Sequence, residues 1–243
     1  MGELKGIDAG RVTEWFEANV GGVRGPLAFE LIAGGHSNLT FGVTDAGGAR
    51  YVLRRPPLGH VLATAHDMER EHRIISALAA TDVPVAPALG LCTDEAVNGA
   101  PFYVMGFVDG HVVRDQKTAE AVLDEAGRRR AGESIADVLA RIHAVDVEAT
   151  GLADLGKHEG YIARQLKRWY GQFQASNELT GRPVPLVHEL HDLLASAIPE
   201  QQGVAIVHGD YRLDNCMVDD TGEVIAVLDW EICTLGDPLA DLG

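Results

Sequence analysis

The spacing of apolar positions changes period several times along the chain, and each change predicts an element. Between residues 7 and 20, IDAGRVTEWFEANV, the positions Val12, Trp15, Phe16 and Val20 share a helical face behind Asp8, which suits an N-cap. Two strand patterns, FELI and NLTFGVT, then flank AGGHSN, and after the turn DAGG comes ARYVLRR. Residues 64–80, TAHDMEREHRIISALAA, return to a helical period, with Met68, Ile75, Leu78 and Ala79 as the apolar stripe. VPVAPALGLC (83–92) and APFYVMGFVDG (100–110) read as strands around the turn DEAVNG. Helical patterns follow at 118–130, 133–147, 158–177 and 186–199. The second of these places Ile135, Val138, Leu139, Ile142 and Val145 on one face, and the third packs through Tyr161, Leu166, Trp169, Tyr170 and Phe173.

Residues 204–231, VAIVHGDYRLDNCMVDDTGEVIAVLDWE, alternate differently: an apolar strand, a polar loop, a short strand, a turn and a second apolar strand. The loop carries Asp210 and Asn215, and the hairpin returns Asp229 to the same end. Three oxygen-bearing side chains are thereby expected to converge. A carboxylate such as Asp210 can orient a hydroxyl and accept its proton, while an amide oxygen (Asn215) and a second carboxylate (Asp229) can hold magnesium against nucleotide phosphates. Taken singly, His-Gly-Asp reads as a turn and Asp229 as a strand-end carboxylate; in this order and spacing they point to phosphoryl transfer. Beyond Glu231, GDPLADL reads as the start of a helix, with Asp237 near the cap and Pro238 in the first turn.

Composition narrows the partners. A chain of 243 residues holds one large or two small domains, and a net charge of −16 argues against nucleic acid. An acidic surface suits a cationic substrate or simple solvation. The three cysteines, Cys92, Cys216 and Cys233, are widely spaced and read as buried residues of a reduced compartment. No stretch has the pattern of a signal peptide or a membrane span, so a cytoplasmic protein without a membrane partner is expected. His143 is expected to be a packed or surface histidine, and Arg164, Lys167 and Arg168 a solvated basic face. Gly34 and Gly35 permit positive φ, so the amides near His36, Ser37 and Asn38 either face phosphate oxygens or form an ordinary glycine hairpin.

HGDYRLDN followed by an apolar strand and D-W-E resembles the catalytic and metal-binding loops of the protein-kinase-like superfamily. It is most similar to the aminoglycoside phosphotransferase family, in which HGD stands for the HRD of protein kinases and a triplet such as D-W-E for DFG. The resemblance covers most of the chain in order, and it implies roles for individual residues. G-x-S-N-x-T stands at the nucleotide loop, so Gly35, His36, Ser37 and Asn38 are nucleotide-binding. The strand lysine that contacts the phosphates is replaced by Arg54, which follows YVL; strand alternation puts Arg55 on the opposite face. Glu71 pairs with Arg54, chosen over Glu69 by order along the chain. Met105 lines the adenine pocket, and the Gly106 carbonyl and Val108 amide bond the adenine edge. Asp210 is the catalytic base, and Asn215 and Asp229 are the magnesium ligands. His208 braces the catalytic loop, and Glu231 supports the site from behind.

The implied architecture is α+β, a bilobal protein-kinase-like fold. Residues 1–108 form an N-terminal nucleotide-binding lobe, an antiparallel sheet with a helix, and residues 109–243 a mostly helical catalytic lobe. The family continues with further helices that build much of the acceptor pocket, so the chain is expected to be truncated. RRPP, RQLKRW and GDPLADL look most like the branch found beside acyl-CoA dehydrogenases, which is implicated in phosphorylating hydroxylated acyl substrates. The expected activity is transfer of the γ-phosphoryl group of ATP, or of GTP, with magnesium, to a small-molecule hydroxyl. The alternatives are a non-catalytic kinase-like binding module and a metal-dependent phosphohydrolase.

Overall fold

The computed structural model describes residues 4–33, 38–58 and 67–242. In chain order its elements are α1 (Ala9–Asn19), β1 (Ala28–Ala33), β2 (Leu39–Thr44), β3 (Arg50–Arg55), α2 (Met68–Leu78), β4 (Ala88–Cys92), α3 (Glu95–Asn98), β5 (Phe102–Gly106), α4 (Gln116–Val122), α5 (Glu125–His143), α6 (Tyr161–Thr180), α7 (Pro185–Ser196), β6 (Ala205–Val207), β7 (Cys216–Val218), β8 (Val224–Val227) and β9 (Thr234–Gly236). Short 3-10 turns occupy Leu213–Asn215, Trp230–Ile232 and Pro238–Leu242. The chain divides into two compact units, Met1–Arg141 with Arg212–Ile232, and Ile142–Tyr211 with Cys233–Gly243.

The first unit is built on an antiparallel sheet of order β1-β2-β3-β5-β4. One face of the sheet receives α1: Val12, Phe16 and Val20 pack with Phe41, Leu53, Phe102 and Val104 into a buried cluster. Asp8 caps this helix by accepting from the Arg11 amide, as its position ahead of the apolar period predicts. Helix α2 starts at the cap Asp67 and buries Met68, Ile74, Ile75 and Leu78 together with the carboxylate residue Glu71. Ala79, expected in that stripe, is exposed at the helix end, and Ile74 takes its place.

Two other expectations are corrected here. Residues 83–87 are not strand, because Pro84 and Pro87 have no N–H for a ladder; their carbonyls accept instead from Val227 N (2.9 Å) and Gly106 N (2.8 Å). The helices expected at 118–130 and 133–147 break earlier. Asp124 takes the Gly127 amide on its side chain (2.8 Å), so α5 starts there and runs unbroken for 19 residues.

The segment after Val108 groups with the sheet in this compact unit, since His111 and Val218 exchange backbone hydrogen bonds of 2.8 and 2.9 Å. Hairpin β7–β8 then lies against α5. Its turn residue Gly222 has φ +87°, and a Cβ there would fall 2.1 Å from the Gly127 carbonyl oxygen, so only glycine fits. Ser134 of α5 accepts from the Val224 amide at 2.9 Å and donates to Glu223 at 3.2 Å. The hairpin carrying Asn215 and Asp229 is thereby anchored at its far end.

The second unit holds α6, α7 and the strand pair β6–β9. Strand β9 was not expected: Thr234–Gly236 pairs with Ala205–Val207, and GDPLADL follows as a 3-10 turn rather than a helix start. Asp237 accepts from Leu239 N and Gln202 N, both at 3.0 Å. Of the packing set expected on α6, Tyr161 is buried, whereas Trp169 is 56% exposed. The helix turns Tyr170 toward α7 instead, where its ring stacks on His191 at 3.7 Å and its hydroxyl meets His188 Nδ1 at 2.7 Å.

Candidate active site

Strand β3 sends consecutive arginines to opposite sides of the sheet, as alternation requires. Arg54 reaches Asp229 Oδ1 with Nη2 at 2.8 Å, and its Nε lies 3.4 Å from Glu71 Oε2. Glu231 Oε2 is 3.9 Å from the same Nη2. One guanidinium is thus ringed by three carboxylates contributed by α2 and by the segment after β8. The expected Glu71–Arg54 ion pair is present, while Glu69 is exposed.

Glu71, only 1% exposed at its side chain, is held by two further groups. Tyr103 donates its hydroxyl to Oε2 (2.9 Å), and Asn38 donates its side-chain amide to Oε1 (2.7 Å). Asn38 also donates to Glu231 Oε2 at 3.1 Å, so one amide group joins two carboxylates. Burial pushes the Glu71 carboxyl up to about 7, against the opposing pull of Arg54 and of the Tyr103 hydrogen bond. Burial alone would lower the Arg54 guanidinium, but Tyr103, Glu71 and Asp229 outweigh it and the net direction is upward. Arg54 is therefore a permanent cation, and the carboxylates around it exceed its charge.

Asp229 has φ 63°, the left-handed region, and is the one non-glycine among the described residues found there. Such a backbone costs about 1–3 kcal/mol and persists where surrounding contacts impose it. Those contacts are visible on either side. Leu228 N bonds to the Asn215 carbonyl (2.8 Å), and Trp230 Nε1 bonds to the Val227 carbonyl (3.1 Å). Asn215 itself ends a 3-10 turn immediately before β7.

These groups line one pocket of ≈ 480 Å³. Arg54, Asn38, Asn215 and Asp229 supply its polar wall, and Val52, Ala86, Met217 and Leu228 part of its apolar wall. Met105, Gly106 and Val108 line it from the end of β5. The Gly106 amide donates to Pro87 O at 2.8 Å. Arg114 and Asp214 also border the pocket, and neither was singled out from the sequence. Among the described residues no group of three or more His, Cys, Asp or Glu could hold a metal ion. Asn215 and Asp229 are a pair of hard oxygen donors, which fits magnesium completed by phosphate oxygens better than a metal held by protein alone.

Asp210 belongs to the second unit, on the loop after β6. Gly209 before it takes φ +86°, which the HGD motif meets with glycine. His208 is fully buried, and its Nδ1 accepts from the Asp210 amide at 3.4 Å. The loop is fixed by Asp241, a residue that sequence reasoning missed. Its carboxylate accepts from the amides of His208 (2.9 Å) and Gly209 (2.8 Å) and meets His143 Nε2 at 3.0 Å. Burial alone would raise this carboxyl, but those hydrogen bonds outweigh it and hold it below the usual range. The signal was present in the last acidic residue of GDPLADL, which read as a helix start. His143 is a packed histidine, as expected, with Asp241 its partner.

Of the residues predicted for the site, the first unit brings together Asn38, Arg54, Glu71, Met105, Gly106, Val108, Asn215 and Asp229. Asp210 is described in the second unit, and Gly35, His36 and Ser37 lie outside the described residues. Tyr103 was missed, although it sits directly opposite Arg54 in the β3–β5 register.

Residues 28–243 match the phosphotransferase enzyme family profile, which covers the sheet, the pocket and the HGD loop alike. The chain belongs to the phosphotransferase enzyme family. The chain is 40% identical over 219 residues to mouse (Mus musculus) acyl-CoA dehydrogenase family member 10, a match that takes in 90% of this chain and 20% of that protein. The chain thus spans about a fifth of the length of that curated relative. A candidate aminoglycoside phosphotransferase from Ralstonia eutropha superposes with a TM-score of 0.81 at 41% identity, over 97% of this chain and 68% of the other. The amicoumacin kinase hAmiN, described in complex with AMP-PNP, Ca2+ and Ami, has the same fold at 18% identity and a TM-score of 0.58, over 97% and 67% of the two chains. The antiparallel sheet, the helical remainder and these neighbours identify an α+β protein-kinase-like fold. No described helix of the chain is long and apolar enough to cross a membrane.

Proposed function

We propose that this phosphotransferase moves the γ-phosphoryl group of ATP, with magnesium, to a hydroxyl group of a small molecule. The observation that carries the reading is the single pocket lined by Arg54, Asn215, Asp229 and the Met105–Val108 segment. Arg54, oriented by Glu71 and Asp229, binds phosphate oxygens; its planar donor fork suits them, although it differs in shape from lysine. Met105 packs on the adenine, and the Gly106 carbonyl and Val108 amide bond its edge. Asn215 and Asp229 would hold magnesium, which would supply charge neutralisation for the phosphates. Asp210 orients the acceptor hydroxyl and takes its proton, on a loop kept in place by Asp241. Alignment and charge neutralisation carry most of the rate in this class of reaction. Use of a nucleotide is also supported by the complex described for hAmiN. Similarity to an acyl-CoA dehydrogenase family member favours a hydroxylated acyl acceptor over an aminoglycoside.

The test is a thermal-melt titration with ATP and magnesium on this chain and on Asp229→Ala. At ~100 times Kd, binding adds roughly 2.7 kcal/mol, or several degrees at about 2–4 °C per kcal/mol. The shift is expected to need magnesium and to vanish in Asp229→Ala; no shift in the unaltered chain would leave a module without nucleotide binding. Asp210→Asn is expected to keep the shift and lose turnover with any acceptor that the unaltered chain phosphorylates. Equal loss of both would remove Asp210 from the role of base.

A further inference from the structure

Arg55, on the other face of β3, is as buried as Arg54 but lacks its company. It is 6% exposed, and its partners are three neutral carbonyls: Gly6 O (2.6 Å) and Asn98 O (3.0 Å) from Nη1, and Pro56 O (3.2 Å) from Nε. No carboxylate among the described residues pairs with it, and those carbonyls leave the two N–H groups of Nη2 unused. Burial lowers its basicity with nothing to offset it. A cation taken out of water without a counter-charge is unfavourable, so an anion beside it stabilises the fold.

The space beside it is a cleft of ≈ 1080 Å³. Its walls are Leu4, Ile7, Leu27, Phe29 and Leu58. Asn98 also lines it, is 6% exposed, and carries a buried Nδ2 without a hydrogen-bond partner. Its Oδ1 accepts from the Asp8 amide (2.9 Å), which fixes the orientation of the side chain. Lys5 stands on the rim, exposed. Among the described residues that line the cleft the one carboxylate, Asp8, is engaged in capping α1 through Arg11 N (3.1 Å) and in pairing with Arg11 Nε (3.6 Å). Arg55, Asn98 and Lys5 thus line the same apolar cleft, and Arg55 and Asn98 are in contact through the Asn98 carbonyl (3.0 Å).

We propose that this cleft binds a small carboxylic acid with an apolar tail, its carboxylate held by Arg55, Asn98 and Lys5. The site is independent of the phosphotransfer reading, because Arg54 and Arg55 point to opposite faces of the sheet. Octanoate is the probe, with acetate and 1-octanol supplying head and tail alone, and binding is followed by titration calorimetry on the whole chain. Octanoate is expected to saturate one site at least tenfold more tightly than either control. Lys5→Glu, at an exposed position, is expected to weaken it at least tenfold with the melting temperature of the free protein little changed, and Asn98→Asp, nearly isosteric, to weaken it at least tenfold while raising that temperature, because the new carboxylate pairs with Arg55. Three results overturn the proposal: no saturable octanoate binding, equal binding of octanol or acetate, or full binding in both variants.

Discussion

Arg54 and Arg55 are neighbours in sequence and equally hidden from water, yet their surroundings are opposite. Arg54 faces Glu71, Asp229 and Glu231 in a network that Tyr103 and Asn38 complete. Arg55 faces peptide carbonyls and an apolar cleft. The first environment has more negative charge than its cation balances, which suits a site that receives magnesium. The second has a cation that no carboxylate among the described residues balances. The contrast teaches that burial alone says little about what a charged side chain is for; the sign of the charge left over says more.

The largest expected effect separates the two arginines. Arg54→Met leaves three carboxylates around a neutral side chain and is expected to destabilise the fold by about 3–5 kcal/mol, as breaking buried pairs does. Arg55→Met strands three carbonyls but also removes an unbalanced charge, so about 1–2 kcal/mol is expected. Urea melts of both variants decide it; equal losses would mean that the carboxylate ring does not distinguish the two sites. Tyr103→Phe comes between them. It removes one hydrogen bond to a buried carboxylate, worth about 2 kcal/mol, and is expected to slow phosphotransfer by loosening Glu71. An unchanged melt would make Tyr103 a packing residue only.

The smallest effect is a pH slope. The Glu71 carboxyl is raised from 4.5 to about 7 by burial, so the folded state holds its proton more tightly than the unfolded chain does. Its contribution to stability is therefore present below about pH 4.5 and is lost as pH rises through about 7. Between pH 6 and 8 the loss is about 1 kcal/mol, and Glu71→Gln is expected to remove it. A variant that keeps the slope would assign it to another group.

Much of this was legible in the sequence. A period of about 3.6 residues located helices α1 and α2, whose one buried face leaves a regular trace, and the alternation Leu39, Phe41, Val43 located β2, whereas β3 and β5 showed as apolar runs buried on successive residues. The HGD loop, the β7–β8 hairpin and the Arg54–Glu71 pair followed from motif order. What was missed depended on contacts remote in sequence or on local chemistry that outweighs periodicity. Strand β9 is three residues long, too short to show alternation. Prolines 84 and 87 interrupt an otherwise strand-like run, and the carboxylate of Asp124 restarts a helix where apolar spacing sees no boundary. Trp169 and Tyr170 both belong to the packing set expected on α6, but only Tyr170 of the two meets α7, and Trp169 is exposed. Asp241 fixes the HGD loop through hydrogen bonds to His208 and Gly209 N–H groups, and backbone amides leave no mark in a sequence.

The Arg54 network also has an order in time. Asn38, Arg54 and Glu71 leave the ribosome within one short stretch, with |i−j| of 33 between Asn38 and Glu71. Asp229 comes 175 residues after Arg54, and Glu231 comes 193 after Asn38. At about 5–20 residues per second, roughly 10–35 s of synthesis separate the two events. Through that interval Glu71 is the one carboxylate of the ring around Arg54 that has been synthesised. The surplus of negative charge arrives only with the hairpin that carries Asp229, so the early chain can settle its first sheet before the electrostatically demanding part of the site exists.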